Sequence, residues 1–250
     1  MGLTETRETF STMEGVFFYR KGKIMSQTSG IKGGLYTVSE WISKFSLTNL
    51  QWALFNLPVA LLLLSVLNIG DRQELWYLLP PLVLLLPFIF FPATTALFAK
   101  ARDWVRKDHK ETADRSYISY YKENYQNSWK AGIVLTVLWV VLALDLYYFS
   151  TANSLFMNIF LILGILLFVY TINTFSVLVH FDMNVRSVVK KSFLITFVSP
   201  VLFITVAISS GFILAISLYI FPLIIPIFTA SIIAFLAFSA FYRLYLKLST

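Results

Sequence analysis

Two histidines, His109 and His180, and no cysteine leave this chain little material for a metal cluster or a thiol–imidazole pair. Ser and Thr are plentiful, yet none sits in a G-x-S-x-G elbow, and no P-loop, G-x-G-x-x-G or H-E-x-x-H occurs. The expectation is a chain that is not an enzyme, with no catalytic residue, no metal site and no cofactor. Without Cys, disulfides and lipid attachment through cysteine are also excluded.

The polar residues that could still do chemistry lie in or beside long apolar runs. Asn56, Thr94, Thr95, Thr171, Asn173 and Thr174 are amides and hydroxyls suited to hydrogen bonding between helices, with the lining of a solute path as the alternative. Asp145 is the one acidic residue within such a run, followed by Tyr147 and Tyr148. It reads as a carboxylate at the water boundary or as a proton or cation site. Asp182 and His180 precede Arg186 and read as part of a solvated loop. Tyr117, Tyr121 and Tyr125 recur at four-residue steps and lead to Trp129. Such rings prefer the headgroup level, and the same stripe could contact a partner.

Composition sets the elements that must position these groups. Of 250 residues, 58% are hydrophobic, 17% aromatic and 13% charged, against about 25% charged in soluble domains. The charges cluster between uncharged runs, the distribution of a bilayer-spanning chain. A net charge of +7 that flanks apolar segments is an orientation signal and argues against a nucleic-acid partner.

The resulting fold class is all-α, a polytopic membrane helical bundle of about six transmembrane helices with one or two interfacial amphipathic helices. Spans are expected near 49–69, 75–98, 129–149, 154–179, 192–214 and 218–242. No charge occurs between Lys191 and Arg243. As one helix that run would be roughly 76 Å long at 1.5 Å per residue, so it must fold back. Gly211, Pro222 and Pro226 are available breakers, and the hairpin is expected near 217–219.

Six Lys and Arg precede the first span, eight fall in 99–130, three in 180–191 and two in the tail. Only Arg72 lies in the other connections, so a model with both ends in the cytoplasm puts 19 of 20 basic residues inside. The expected location is therefore the cell membrane, multi-pass, with the lipid bilayer as the obligatory partner. Residues 1–30 read as a polar cytoplasmic extension without the apolar core of a secretory signal, 31–250 as the membrane domain and 99–128 as a cytoplasmic loop.

Ile31, Leu35, Val38, Ile42 and Phe45 recur at helical steps and predict an interfacial helix over 31–48, and a second is expected over 114–129. Ala207, Gly211 and Ala215 form a small-residue seam in the fifth span. All eight prolines lie inside or beside apolar segments, and F-N-L-P-V at 55–59 has a counterpart in F-V-S-P-V at 197–201, compatible with a parallel internal repeat.

One family combines these features. G-G-L-Y-T-V-S-E-W-I at 33–42, N-L-Q-W-A-L-F-N-L-P at 49–58 and P-A-T-T-A-L-F at 92–98 come first. K-E-N-Y-Q-N-S-W-K-A-G at 122–132 and H-F-D-M-N-V-R-S-V-V-K-K-S-F at 180–193 follow the basic loop. In this order they resemble the YesL-like membrane proteins of Gram-positive bacteria, from residue 31 onward. Genes of that family tend to lie beside sugar ABC importers and enzymes that degrade plant polysaccharides. The resemblance implies an accessory or regulatory role in uptake of plant polysaccharide-derived oligosaccharides, with sugar ABC importer components as partners. It brings no catalytic residues. The alternative is a small-solute transporter or channel without ion coupling, drawn from the kinked helices and intramembrane polar groups. An ABC permease is disfavoured because no E-A-A-type coupling motif is found between spans.

Overall fold

The computed structural model describes residues 31–70, 72–106 and 115–249. The expected extension 1–30, His109 and positions 107–114 of the expected loop lie outside the described residues. The chain divides into two compact units, Met1–Lys44 and Phe45–Thr250.

In the first unit, residues 31–44 belong to helix α1 (Ile31–Phe55). Leu35, Val38 and Ile42 are exposed there. Lys44 pairs with Glu40 one turn away at 2.7 Å and lies over the Trp41 ring. An exposed apolar row beside such polar groups suits a helix lying at a membrane surface.

The second unit holds the end of α1 and the helices α2 (Leu57–Leu67), α3 (Arg72–Leu85), α4 (Phe91–Arg106) and α5 (Tyr117–Ala152). It continues with α6 (Ser154–His180), α7 (Val185–Val198), α8 (Pro200–Ala215) and α9 (Ala230–Ser249). Wider π-helical turns occur at Leu86–Phe90, Ile216–Ile220 and Ile225–Thr229. Pro87 and Pro226 sit at the start of the first and third, where a missing N–H and a ring clash with the preceding turn favour a locally widened helix.

Five stretches are long and apolar enough to cross a membrane: Gln73–Arg106, Tyr117–Ala152, Ser154–His180, Pro200–Ile220 and Ile225–Ser249. Gly33–Phe55 and Leu57–Leu67 add a sixth if that pair, bent by 70°, is one span. The chain is an all-α polytopic membrane bundle. Helix α4 lies at its centre, packed against α5, α6 and α9. Phe91, Leu97, Phe98, Leu135, Phe175 and Phe238 join in its core. Leu64, Leu144, Ile162, Ile204, Ile208 and Phe212 face outward. An outer surface this apolar is soluble in lipid and would aggregate in water.

Four boundaries differ from the sequence expectation, each for a local reason. The expected first span, 49–69, is two helices meeting at Asn56, because Pro58 cannot donate to the carbonyl four residues back. The expected fifth span, 192–214, is broken at Ser199, since a residue before proline is pushed out of the α region. Its crossing helix is Pro200–Ile220. The same rule moves the hairpin from 217–219 to 221–224, where Phe221 precedes Pro222 with φ −145° and ψ 81°, so the last crossing helix is Ile225–Ser249. Finally, the expected loop 99–128 is largely helical, with α4 running to Arg106 and α5 starting at Tyr117. The separate surface helix expected over 114–129 is the first part of α5, whose 36 residues make one continuous helix about 54 Å long.

Candidate functional site

A seam of polar groups follows the breaks in the helices. Asn56 is 5% exposed and its Nδ2 donates to the Trp52 carbonyl at 2.8 Å, while its Oδ1 is buried without a partner. One turn earlier, Trp52 Nε1 donates to Thr94 Oγ1 at 3.1 Å. Thr94 in turn donates to the Phe90 carbonyl at 2.7 Å, at the end of the π-helical turn, and Thr95 donates to Phe91 at 2.9 Å. Three of the expected polar residues thus belong to one neighbourhood: Asn56 and Thr94 both touch Trp52, and Thr95 lies beside Thr94.

Residues 91–99 are all buried, and small side chains make that possible: Ala93, Ala96 and Ala99 are 0% exposed. From α5, a Cβ added at Gly132 would come within 2.9 Å of Phe91, so only glycine permits this approach. Tyr117 donates to the Ala93 carbonyl at 2.6 Å and is 1% exposed. The expectation of a headgroup or partner contact at Tyr117 is therefore corrected, since its hydroxyl and ring are taken up by α4 and Phe55. Tyr121 packs on Phe55 and on Tyr125, and Trp129 stacks on Phe88. These three remain partly exposed.

The last span is fastened by Asn49, a residue that reads from sequence only as a polar group at a span boundary. It is 0% exposed; its Nδ2 donates to the Ile225 carbonyl at 2.9 Å and its Oδ1 accepts from Ser231 N at 2.9 Å. Pro226 disturbs the helix between those two backbone groups, and one carboxamide satisfies both. Ser217 and Thr229 join the two π-helical turns of the hairpin at 2.7 Å.

Asn173 belongs elsewhere. It donates to Thr196 of α7 at 3.0 Å and keeps a buried, unpartnered Oδ1. Thr171 accepts from Trp139 at 3.1 Å. Asp145 is half-buried and makes no hydrogen bond or ion pair with a described residue.

A family model described as a protein of unknown function, DUF624, matches residues 45–146, the part that contains Asn49, Trp52, Asn56, Thr94 and Gly132. The chain is 29% identical over 226 residues to the uncharacterized protein YteU of Bacillus subtilis (strain 168), covering 87% of this chain and 88% of that protein. It is 24% identical over 181 residues to the uncharacterized protein YesL of the same organism, covering 70% and 73%. These likenesses are consistent with a YesL-like family. No solved structure matches it.

In this bundle charged groups collect at the end of α4. Arg102 bonds its neighbour Asp103 at 2.9 Å and donates from Nη1 to the Val179 carbonyl at 2.6 Å. A cation on the last carbonyls of α6 complements the negative end of that helix. Tyr120 donates to Asp103, with Arg115 over its ring and Arg115 paired with Glu123 at 2.7 Å. His180, at the end of α6, is surrounded by Phe181, Phe241, Tyr242 and Tyr245, and its Nδ1 is buried without a partner. Among the described residues no group of three or more His, Asp or Glu could hold a metal ion.

Chemically, the seam offers neutral donors and acceptors that fasten helix to helix. Asn49, Trp52, Arg102 and Tyr120 were missed by sequence reasoning. The signal was present for Asn49 and Trp52, which stand in the N-L-Q-W motif at 49–52.

Proposed function

We propose that the chain is a non-enzymatic accessory or regulatory subunit of the cell membrane, working with an ABC-type import system for plant polysaccharide-derived oligosaccharides. The observation behind this reading is that several polar side chains of the spans fasten neighbouring helices: Trp52 on Thr94, Asn49 on Ile225 and Ser231, Trp139 on Thr171, Asn173 on Thr196. Groups used this way give a bundle a fixed shape, which suits a subunit that positions or regulates another protein. The carbohydrate part rests on the family resemblance. Both ends are placed in the cytoplasm because 19 of 20 basic residues then face inward.

The test is uptake of labelled oligosaccharide in cells lacking the gene, together with co-purification of importer components on the tagged full chain. Reduced uptake with importer components retained on the tag supports the accessory reading. Normal uptake and no importer on the tag would sink it. Reporter fusions after Thr250 and within 184–190 are expected to report cytoplasm, and an outside signal at either would overturn the orientation.

A transporter without ion coupling is the second reading, favoured by the free acceptors Asn56 Oδ1 and Asn173 Oδ1 and by the π-helical turns, which commonly mark functional sites in helices. Uptake by vesicles containing this chain alone would establish it in place of the first.

A further inference from the structure

The carboxyl-terminal ends of two spans meet α7 around a groove of about 290 Å³. Phe181, one residue beyond the end of α6, forms part of its wall with Leu194 and Ile195 of α7 and Phe241 and Leu248 of α9. One cation enters it: Lys191 lies with Nζ 3.2 Å from the centre of the Phe181 ring. No carboxylate is among the residues that line the groove, and Lys191 has no ion pair with a described residue. A ring face attracts an ammonium but leaves its other N–H donors unused.

We infer that this groove binds one anionic phospholipid, with the headgroup phosphate on Lys191 and an acyl chain along the apolar wall. Charge selects the headgroup. Segments 180–191 and 242–249 carry Arg186, Lys190, Lys191, Arg243 and Lys247 against the single acid Asp182, and basic pockets between transmembrane helices are the sites that take anionic headgroups. Position selects a membrane ligand over a soluble one, because α6 and α9 both end here and a span ends at the headgroup layer. Wall chemistry selects an acyl chain over a sugar. Besides Lys191, only Tyr245 and Ser249 offer side-chain polar groups, so most hydroxyls of a bound sugar would lose their hydrogen bonds. The groove is thus a site separate from the seam around Trp52, and it stands whether or not the chain serves an importer.

The test is native mass spectrometry of the full chain purified in mild detergent and titrated with phosphatidylglycerol or phosphatidylcholine. One retained phosphatidylglycerol is expected, with phosphatidylcholine held far less. Lys191→Gln should weaken the phosphatidylglycerol adduct about fivefold, the factor for one basic residue near an anionic headgroup. Lys191→Arg should restore it, and Arg186→Gln, exposed on the same helix and outside the groove lining, should weaken it less than Lys191→Gln. Leu194→Trp fills the groove without altering charge and should also weaken the adduct. Equal retention by Lys191→Gln and the parent chain overturns the site, as does an equal loss in Arg186→Gln, which would mean diffuse attraction to a basic edge. If Lys191→Gln does not elute as a monodisperse helical protein, Leu194→Trp and Lys191→Arg decide: an adduct undiminished by the tryptophan, or lost with arginine, overturns the site.

Discussion

Residues 55–59 and 197–201 read F-N-L-P-V and F-V-S-P-V, and each stops a helix just ahead of its proline. The first stop is fastened to the rest of the bundle. Asn56 is buried against Trp52, Trp52 bonds Thr94, and the neighbouring helices meet at 70°. The second is closed locally, with Ser199 Oγ accepting from Leu202 N at 3.3 Å, while Val198 and Val201 face outward. Among the described residues no side-chain hydrogen bond leads from 197–201 to another span. A proline therefore dictates that the helix stops, and the groups around it dictate whether the joint is rigid.

The largest effect should come from the fastening of the first joint to the last span. Asn49→Ala leaves the Ile225 carbonyl and the Ser231 N–H without their partner, and the expected loss is about 2–4 kcal/mol, the cost of two unsatisfied buried groups. Thermal unfolding of the full chain in detergent measures it, and an unchanged midpoint would remove Asn49 from the comparison.

Gly132→Ala drives a methyl into Phe91 beside the same joint, at an expected cost of about 1–3 kcal/mol by overpacking. At Trp52→Phe, the bond to Thr94 is lost but the aromatic bulk stays, and about 1 kcal/mol is expected. Combining it with Thr94→Val should cost less than the sum of the two, because they share that bond. Ser199→Ala removes the cap of the second joint, for about 1 kcal/mol or less, and should add to Trp52→Phe without coupling. Coupling between those two would mean that the joints communicate and would narrow the contrast.

The smallest effect is expected at Gly211→Ala, where a new Cβ meets nothing within 4 Å. Stability should stay level or rise by up to about 1 kcal/mol, since alanine restricts the unfolded chain more than glycine. Among the described residues, no other helix thus closes the small-residue seam of Ala207, Gly211 and Ala215 at Gly211. A loss of stability there would show that a second chain packs on it in the measured sample.

Much of this protein could be read from the sequence alone. Runs of apolar residues specify spans because burial in lipid depends on the local sum of side-chain transfer energies, and that sum is a property of sequence. Pro222 as a breaker was equally legible, since proline effects reach only a few residues. The position of each break was less so: Ser199 and Phe221 stop their helices because of the residue that follows, a rule that overrides an otherwise continuous apolar run.

Only the tertiary structure decided which polar groups meet. Asn49 and Ser231 are 182 positions apart, and Asn49 and Ile225 are 176 apart, so no window along the chain contains both partners. Tyr117 looked like a headgroup residue from its aromatic spacing and became a core residue because Ala93, on another helix, presents a carbonyl to its hydroxyl. Lys191 is one more basic residue of a loop in sequence, and becomes a candidate lipid ligand because α6 and α9 end beside it. Hydropathy is additive and local, and it determined the helical class and that about six apolar stretches could cross a membrane. Hydrogen bonds and close packing are directional and pairwise, so the seam, the joints and the groove exist only once the helices are in place.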